Sequence, residues 1–391
     1  MVNVGIQTQT RTASHNPTAN VSPASRIPEL DGLRGIAILS VVCVHYIDSQ
    51  GLAAGPVSKF AFNAVALGWS GVDLFFVLSG FLIGGILIDN RGSASFFSTF
   101  YIRRALRIFP SYYLVLVLAL AFSDAARGHS WADLHFPPLV YAMYVQNIAA
   151  SLSPLDGKSF QPLWTLAIEE QFYLLAPFFV YFCPPRFLGK IIVAMILAAP
   201  ALRALLLLSL PYPQNIGAEM FLPCRWDALL LGVLAALAQR HSVSEVARCT
   251  LVLKGVALFC ILFTPILLIL SSFLFVAIGL STISVFFAIF ILLIVNGAEE
   301  GKCFRAGWLR YFGKISYCLY LIHQPVTNAM HGLILGSPPD IGAAQQVAVT
   351  FAALAVSIVF ASLSWSYFER LLLSLGRRWH YHAAPAAAAT S

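Results

Sequence analysis

The feature that most constrains this chain is a recurrence of apolar runs, each on the order of 20 residues, from Ile36 to Tyr367. A bilayer core takes roughly 20 apolar residues per helical crossing. Every backbone polar group inside it must find a partner within the segment, which a helix provides and an open strand does not. Of the 391 residues 59% are hydrophobic and 10% are charged, with a mean hydropathy of +0.79, whereas soluble domains carry roughly 25% charged residues. A soluble fold of this size has no interior large enough to hide that much apolar surface. The chain therefore reads as all-α, a polytopic transmembrane helical bundle.

About 10 crossings fit, at residues 33–50, 70–89, 109–126, 163–183, 189–210, 226–240, 251–270, 273–296, 312–334 and 345–370. The stretch from Pro138 to Ala150 is too short for a crossing and reads as one short re-entrant or interfacial segment. Residues 1–28 are polar and lack the apolar core of a signal peptide, so they are expected to form a disordered cytoplasmic tail. Residues 29–372 form the membrane domain, and 373–391 a cytoplasmic tail, first basic and then Ala-rich, for which no chemistry is expected.

Cytoplasmic loops collect Lys and Arg. With the N terminus inside, nineteen of the 24 basic residues fall on the cytoplasmic side, and only Lys59, Arg127, Lys158, Arg203 and Arg225 do not. Both termini are thus expected inside. An extra crossing at Pro138 would invert every later loop. The net charge of +7 arises from these loops and carries no aromatic-interleaved basic patch, so no nucleic-acid partner is expected. The seven cysteines show neither C-x-x-C pairs nor zinc-ligand spacing, and read as packing residues. No appended soluble catalytic domain is expected, which confines any chemistry to the bundle and its edges.

A charge in hydrocarbon costs at least ~2.5–3.5 kcal/mol, so intramembrane ionisable residues usually face a cavity and serve a function. The first helix opens Pro28-Glu-Leu-Asp-Gly-Leu-Arg34 and runs on to His45. Eleven residues separate Arg34 from His45; at ~100° and ~1.5 Å per residue they lie near one face, about 16 Å apart along the axis. Histidine is the side chain best suited to take a proton near neutral pH, although a lone membrane histidine can equally be structural. Arg104 and Arg107, in the loop before the third helix, share a face at i, i+3. Two guanidinium forks there could hold phosphates, or serve only as positive-inside residues at lipid headgroups.

Glu169 and Glu170 point different ways on their helix, so at most one faces a site on the bundle axis, and spacing does not choose between them. The other could pair with Arg203 or Arg225. Asp73 near the outer end of the second helix could orient a histidine or bind a sugar hydroxyl, or be only a first-turn acid. Ser79 and Gly80 read as close-packing residues. His323, just before Pro325, is a second site candidate, with nothing at fixed spacing beside it.

Five blocks in order carry a resemblance: Glu29–Ala37 followed by His45; Gly71–Leu82; Arg103–Pro110; Leu163–Tyr173; and Ile315–Pro325. Together they resemble the acyltransferase 3 family from about Ile27 to Leu371. That resemblance implies an O-acyltransferase of the bacterial inner membrane. It would move an acyl group, commonly acetyl, from cytoplasmic acyl-CoA to a hydroxyl of an extracytoplasmic or lipid-linked glycan, with acyl-CoA as a donor substrate and no permanently bound cofactor. The family's basic residue and its histidine fall on Arg34 and His45, and its R-x-x-R pair on Arg104 and Arg107. Arg34, Arg104 and Arg107 are then expected to hold CoA phosphates and His45 to deprotonate the acceptor. Glu169 or Glu170 and Asp73 are expected on the acceptor side, and Trp164, Tyr173 and His323 at the substrate.

Some family members carry an additional esterase-like domain; without one, this chain would complete the transfer alone or hand over to a partner. Other partners are the glycan and membrane lipids. Two readings compete: a transporter or flippase without covalent chemistry, for which the repeated halves usual in that class are not found, and an acyltransferase acting on a macrolide-like small molecule or a lipid. Acceptor contacts would come from outer loops that include His129, Trp131, His135 and Tyr212.

Overall fold

A computed structural model describes residues 27–47, 67–125, 136–152, 160–211 and 214–382. His129, Trp131, His135 and Tyr212, the acceptor-loop candidates, lie outside the described residues, as does the N-terminal tail as far as Arg26. The described residues are helical throughout their long elements. The described residues form ten long helices: α1 (Pro28–Ile47), α2 (Gly71–Asp89), α3 (Phe96–Ala125), α4 (Leu163–Phe182), α5 (Pro185–Ser209), α6 (Leu222–His241), α7 (Thr250–Leu270), α8 (Ser272–Val295), α9 (Gly307–Leu335) and α10 (Ala344–Gly376).

Eight of these are long and apolar enough to cross a membrane. The other two, α4 and α9, carry the polar runs Glu169-Glu170-Gln171 and Arg310 through His331 on helices of 20 and 29 residues. Those polar residues lie largely inside the bundle, so these two helices supply much of its polar interior. The segment expected to be re-entrant is two short helices, Pro138–Ala142 and Gln146–Leu152, joined through Tyr144 at φ 53°. A tyrosine tolerates that left-handed turn because its ring stacks on Tyr112 at 4.4 Å and its carbonyl accepts from Gln171 Nε2 at 2.9 Å.

Two crossings organise the core: α1 packs on α9 and α2 on α6. Both depend on glycine. A Cβ at Gly35 would overlap the carbonyl of Leu309, and one at Gly80 the carbonyl of Leu229, so only a bare backbone permits such close approach in lipid. Helices α5 and α7 lie at the rim and turn Leu197, Leu208, Leu251 and Ile269 outward, where acyl chains rather than water would cover them.

The third helix begins earlier than the sequence suggested. Phe96–Ala125 is one element, so Arg103, Arg104 and Arg107 are not in a preceding loop but in its first three turns, and Pro110 lies inside it. Proline leaves a carbonyl without its usual donor; nearby, the Tyr317 hydroxyl of α9 donates to Ile108 O at 2.9 Å. At the other end of the chain α10 continues to Gly376 through a π-helical turn at Trp365–Glu369, and Trp379–His382 then fold back along α3. These four residues are thus fastened to the bundle, within the stretch expected to be a bare tail.

Candidate active site

The site is built on α1. His45 lies in its last turn, and its Nδ1 is 2.8 Å from His323 Nε2, with the two rings stacked at 5.0 Å between centroids. The second nitrogen of His323 faces only carbonyls, those of Tyr320 at 2.8 Å and Leu319 at 3.2 Å, so Nδ1 must carry the proton. His323 Nε2 is then the acceptor, and it fixes the proton of a neutral His45 on Nδ1. The network therefore assigns Nε2 as the basic nitrogen of His45. Tyr46, the next residue of α1, donates to the His323 backbone carbonyl at 2.9 Å and sits 3.2 Å from Ser357 of α10. These contacts hold α9 against α1 where the two imidazoles meet. His323, expected at the substrate, is instead wholly buried against His45 and lines none of the three cavities that run from the arginines to His45.

Three cavities with shared walls run from the arginines to this dyad. The widest, about 960 Å³, opens at the basic end of the bundle and is lined by Arg34, Arg107, Arg240, Lys314, Arg370 and Arg377 among others. Arg34 and Arg107 also line a narrow middle cavity of about 110 Å³ with Arg104, Glu169, Tyr173 and Ser79. Val72, Thr165 and Tyr320 then border both this waist and a chamber of about 330 Å³ at the far end from the arginines, whose walls include His45, Asp73, Trp69, Trp164, Glu219 and Arg225. The helical spacing of Arg34 and His45 thus spans the waist.

The charges along this path are unbalanced. Arg34 has Asp31 at 3.2 Å, but among the described residues neither Arg104 nor Arg107 has a carboxylate within ion-pair distance. Arg104 instead lies over the rings of Phe100 and Tyr173 at 5.9 and 5.8 Å. Two guanidinium groups at a cavity with no ion-pair partner among the described residues are suited to holding an anion.

Glu169 faces the waist and accepts from the Tyr173 hydroxyl at 3.1 Å, and that hydroxyl is also bonded to Ser79. Glu170 is turned away from it, with Oε1 buried and unpartnered. Neither sits with His45: Glu169, about two turns along α4 from its start, lines the waist with the arginines and not the chamber that holds His45, which differs from the place beside the acceptor expected of it. Neither pairs with Arg203 or Arg225. Arg203 bonds Asp227 at 3.0 Å and Ser281 at 2.5 Å, and Arg225 bonds Asp73 at 2.7 Å. Asp73 is therefore the counter-ion of a buried guanidinium in the His45 chamber and not the partner that orients His45. Trp164 lines that chamber, edge-on to Phe76 at 6.4 Å, while Tyr173 belongs to the waist.

Sequence reasoning missed Glu219 and Trp69 in the chamber, which nothing local marks, and named Arg225 only as a partner for Glu169 or Glu170.

A family model described as an acyltransferase domain matches residues 27–364, which is nearly the whole of the bundle. The chain belongs to the acyltransferase 3 family. Within it, the chain is 28% identical over 367 residues to the peptidoglycan O-acetyltransferase OatA of Listeria monocytogenes, covering 88% of this chain and 55% of that protein. It is 26% identical over 317 residues to O-acetyltransferase OatA of Staphylococcus aureus, covering 77% and 50%. A putative peptidoglycan O-acetyltransferase of Bacillus subtilis, YrhL, is 28% identical over 383 residues, covering 90% and 56%. This family member thus spans about half the length of the curated relatives it matches. No solved structure matches the chain.

Proposed function

We propose that this chain is a membrane O-acetyltransferase that takes an acetyl group from acetyl-CoA at the arginine-lined end and delivers it to a hydroxyl of a cell-wall glycan at the His45 end. The observation that carries the reading is the line of cavities joining an arginine cluster, in which Arg104 and Arg107 have no ion-pair partner among the described residues, to a histidine of fixed tautomer. The relatives' names supply peptidoglycan as the first acceptor to test. The bias of nineteen basic residues to five supports both termini, and the arginine end, lying in the cytoplasm, where acyl-CoA is made. It also favours ten crossings with Pro138–Leu152 as a non-spanning hairpin.

In this reading the CoA phosphates sit against Arg34, Arg104 and Arg107. The pantetheine arm, with an extended reach on the order of 15–20 Å, passes the waist over the ~16 Å rise from Arg34 to His45. An acceptor hydroxyl in the His45 chamber gives its proton to His45 Nε2. Its oxygen attacks the thioester carbonyl carbon; a C–O bond forms, the C–S bond breaks, and the proton on His45 returns to the departing thiolate. His323 holds His45 in the tautomer that makes this possible, as the orienting member of a catalytic pair does elsewhere. The hydrogen bond from His45 Nδ1–H strengthens when the ring becomes cationic. Trp69 and Trp164 offer apolar faces for a sugar ring, and Arg225, Asp73 and Glu219 its polar contacts.

The test is transfer of label from radioactive acetyl-CoA to alkali-labile ester on a glycan, using purified protein in bilayers. Label should appear with the wild type and fail with a folded His45→Ala variant. Wild-type transfer by that variant would remove His45 from the chemistry, and no ester on any glycan would remove the acceptor class.

A further inference from the structure

The residues Trp379–His382 are tied along α3 by an unusual density of hydrogen bonds for a chain end. Arg103 Nε donates to the Trp379 carbonyl at 2.8 Å. Ser95 and Thr99 hydroxyls donate to the His380 carbonyl at 3.0 and 3.1 Å. The Ser93 hydroxyl and Ala94 N–H donate to the His382 carbonyl at 2.8 and 3.0 Å, and the His382 N–H returns one to Ser95 at 3.0 Å. This strap roofs a separate cavity of about 240 Å³, whose walls are Arg103, Arg104, Arg107, Arg377, Phe100 and Tyr381 with three aliphatic or glycine positions. Four guanidinium groups and two aromatic rings, with no carboxylate in the lining, make a site for an aromatic anion. Arg104 and Arg107 are shared with the waist, and Arg107 and Arg377 with the wide vestibule.

We propose that this strap cavity binds the phosphorylated adenosine end of the donor, with Tyr381 as the stacking platform for the purine and Arg103, Arg104 and Arg377 as its phosphate ligands. The inference rests on the acetyl-CoA reading above and assigns the part of the donor that the cavities between Arg34 and His45 leave unplaced. Arg103 already covers one face of Tyr381, its guanidinium 5.3 Å from the ring centroid; a purine stacks on the other. The shared arginines then become the bend at which the pantetheine arm turns into the waist. The same phosphate chemistry would suit an anionic lipid headgroup, so the test must separate the two.

Binding is measured with the full chain in phosphatidylcholine nanodiscs, using CoA, 3′-dephospho-CoA and 4′-phosphopantetheine as probes. Tyr381→Ala should weaken CoA about tenfold, the scale of one lost base stack, while Tyr381→Phe stays near wild type and phosphopantetheine binding is unchanged by either. Arg377→Gln should lower the preference for CoA over the dephospho form. Equal weakening of CoA and phosphopantetheine by Tyr381→Ala, or no weakening of CoA, overturns the strap site. So does CoA binding that is indifferent to these variants but falls when phosphatidylglycerol is added and recovers in Arg377→Gln, which would mark a lipid headgroup site. If the wild type binds none of the three probes, the donor reading itself fails and the strap site with it.

Discussion

Replacing His323 by alanine removes the acceptor for the Nδ1 proton of His45 while leaving the backbone carbonyl that Tyr46 holds, so the helices stay in register and only the imidazole is released. General-base catalysis is worth about 10²–10⁴-fold, and His45→Ala should cost that much in kcat. An orienting partner is worth about 10–100-fold, so His323→Ala should lower kcat by that smaller factor and leave the KM for acetyl-CoA unchanged. Steady-state kinetics in bilayers separates the two; a rise in KM with kcat intact would place His323 at the donor instead. Arg34 and His45 were legible as a pair because one helix carries both, and a fixed spacing of eleven residues sets their relative angle. The bond from His45 to His323 was not legible, because 278 residues separate them and neither flanking sequence refers to the other. Asp73 illustrates the same limit: its carboxylate was visible as an intramembrane charge, but its partner Arg225 lies 152 residues away and had been matched with the wrong acid.

At the level of elements the helices were readable wherever apolar runs alternate with basic loops, and misread where a residue with strong local habits is overruled. The third crossing was expected to begin at 109 with the arginines in a loop before it, yet α3 starts at Phe96 and runs through Pro110, because lipid leaves a helix no favourable alternative and a neighbouring hydroxyl serves a nearby carbonyl. The glycine crossings were foreseen at Gly80 as a close approach, not as a specific contact with Leu229. Gly80→Ala should destabilise the fold by about 1–3 kcal/mol, the range for overpacking. Gly255→Ala, on the outer helix α7 with open space around it, should leave melting in detergent unchanged or slightly raised. Equal effects would mean that the α2–α6 crossing can slide. The Arg225–Asp73 pair joins the same two helices with both side chains buried. Asp73→Ala should cost about 3–5 kcal/mol by stranding the guanidinium, and adding Arg225→Met should recover most of that stability without restoring acetylation. If the double variant melts as low as the single, the loss comes from the cavity made at Asp73 and not from the unpaired charge.

Taken whole, the molecule has two unlike ends: an arginine-lined vestibule and strap at one, a chamber of histidine and tryptophans at the other. Which end meets the cytoplasm decides whether the vestibule can meet acyl-CoA at all. Cys249 and Cys303 are exposed in the connections at the vestibule end, and Cys43 is exposed on α1 near the other. In a Cys43→Ala background an impermeant maleimide should leave intact cells unlabelled and should label Cys249 and Cys303 in inside-out vesicles, with Cys303→Ala halving the signal. The four remaining cysteines are buried and should stay silent until the protein is denatured. Labelling of intact cells would invert the molecule, placing the arginines on the side without acyl-CoA. The His45–His323 dyad would survive that result as geometry, but the direction of transfer through the waist would not.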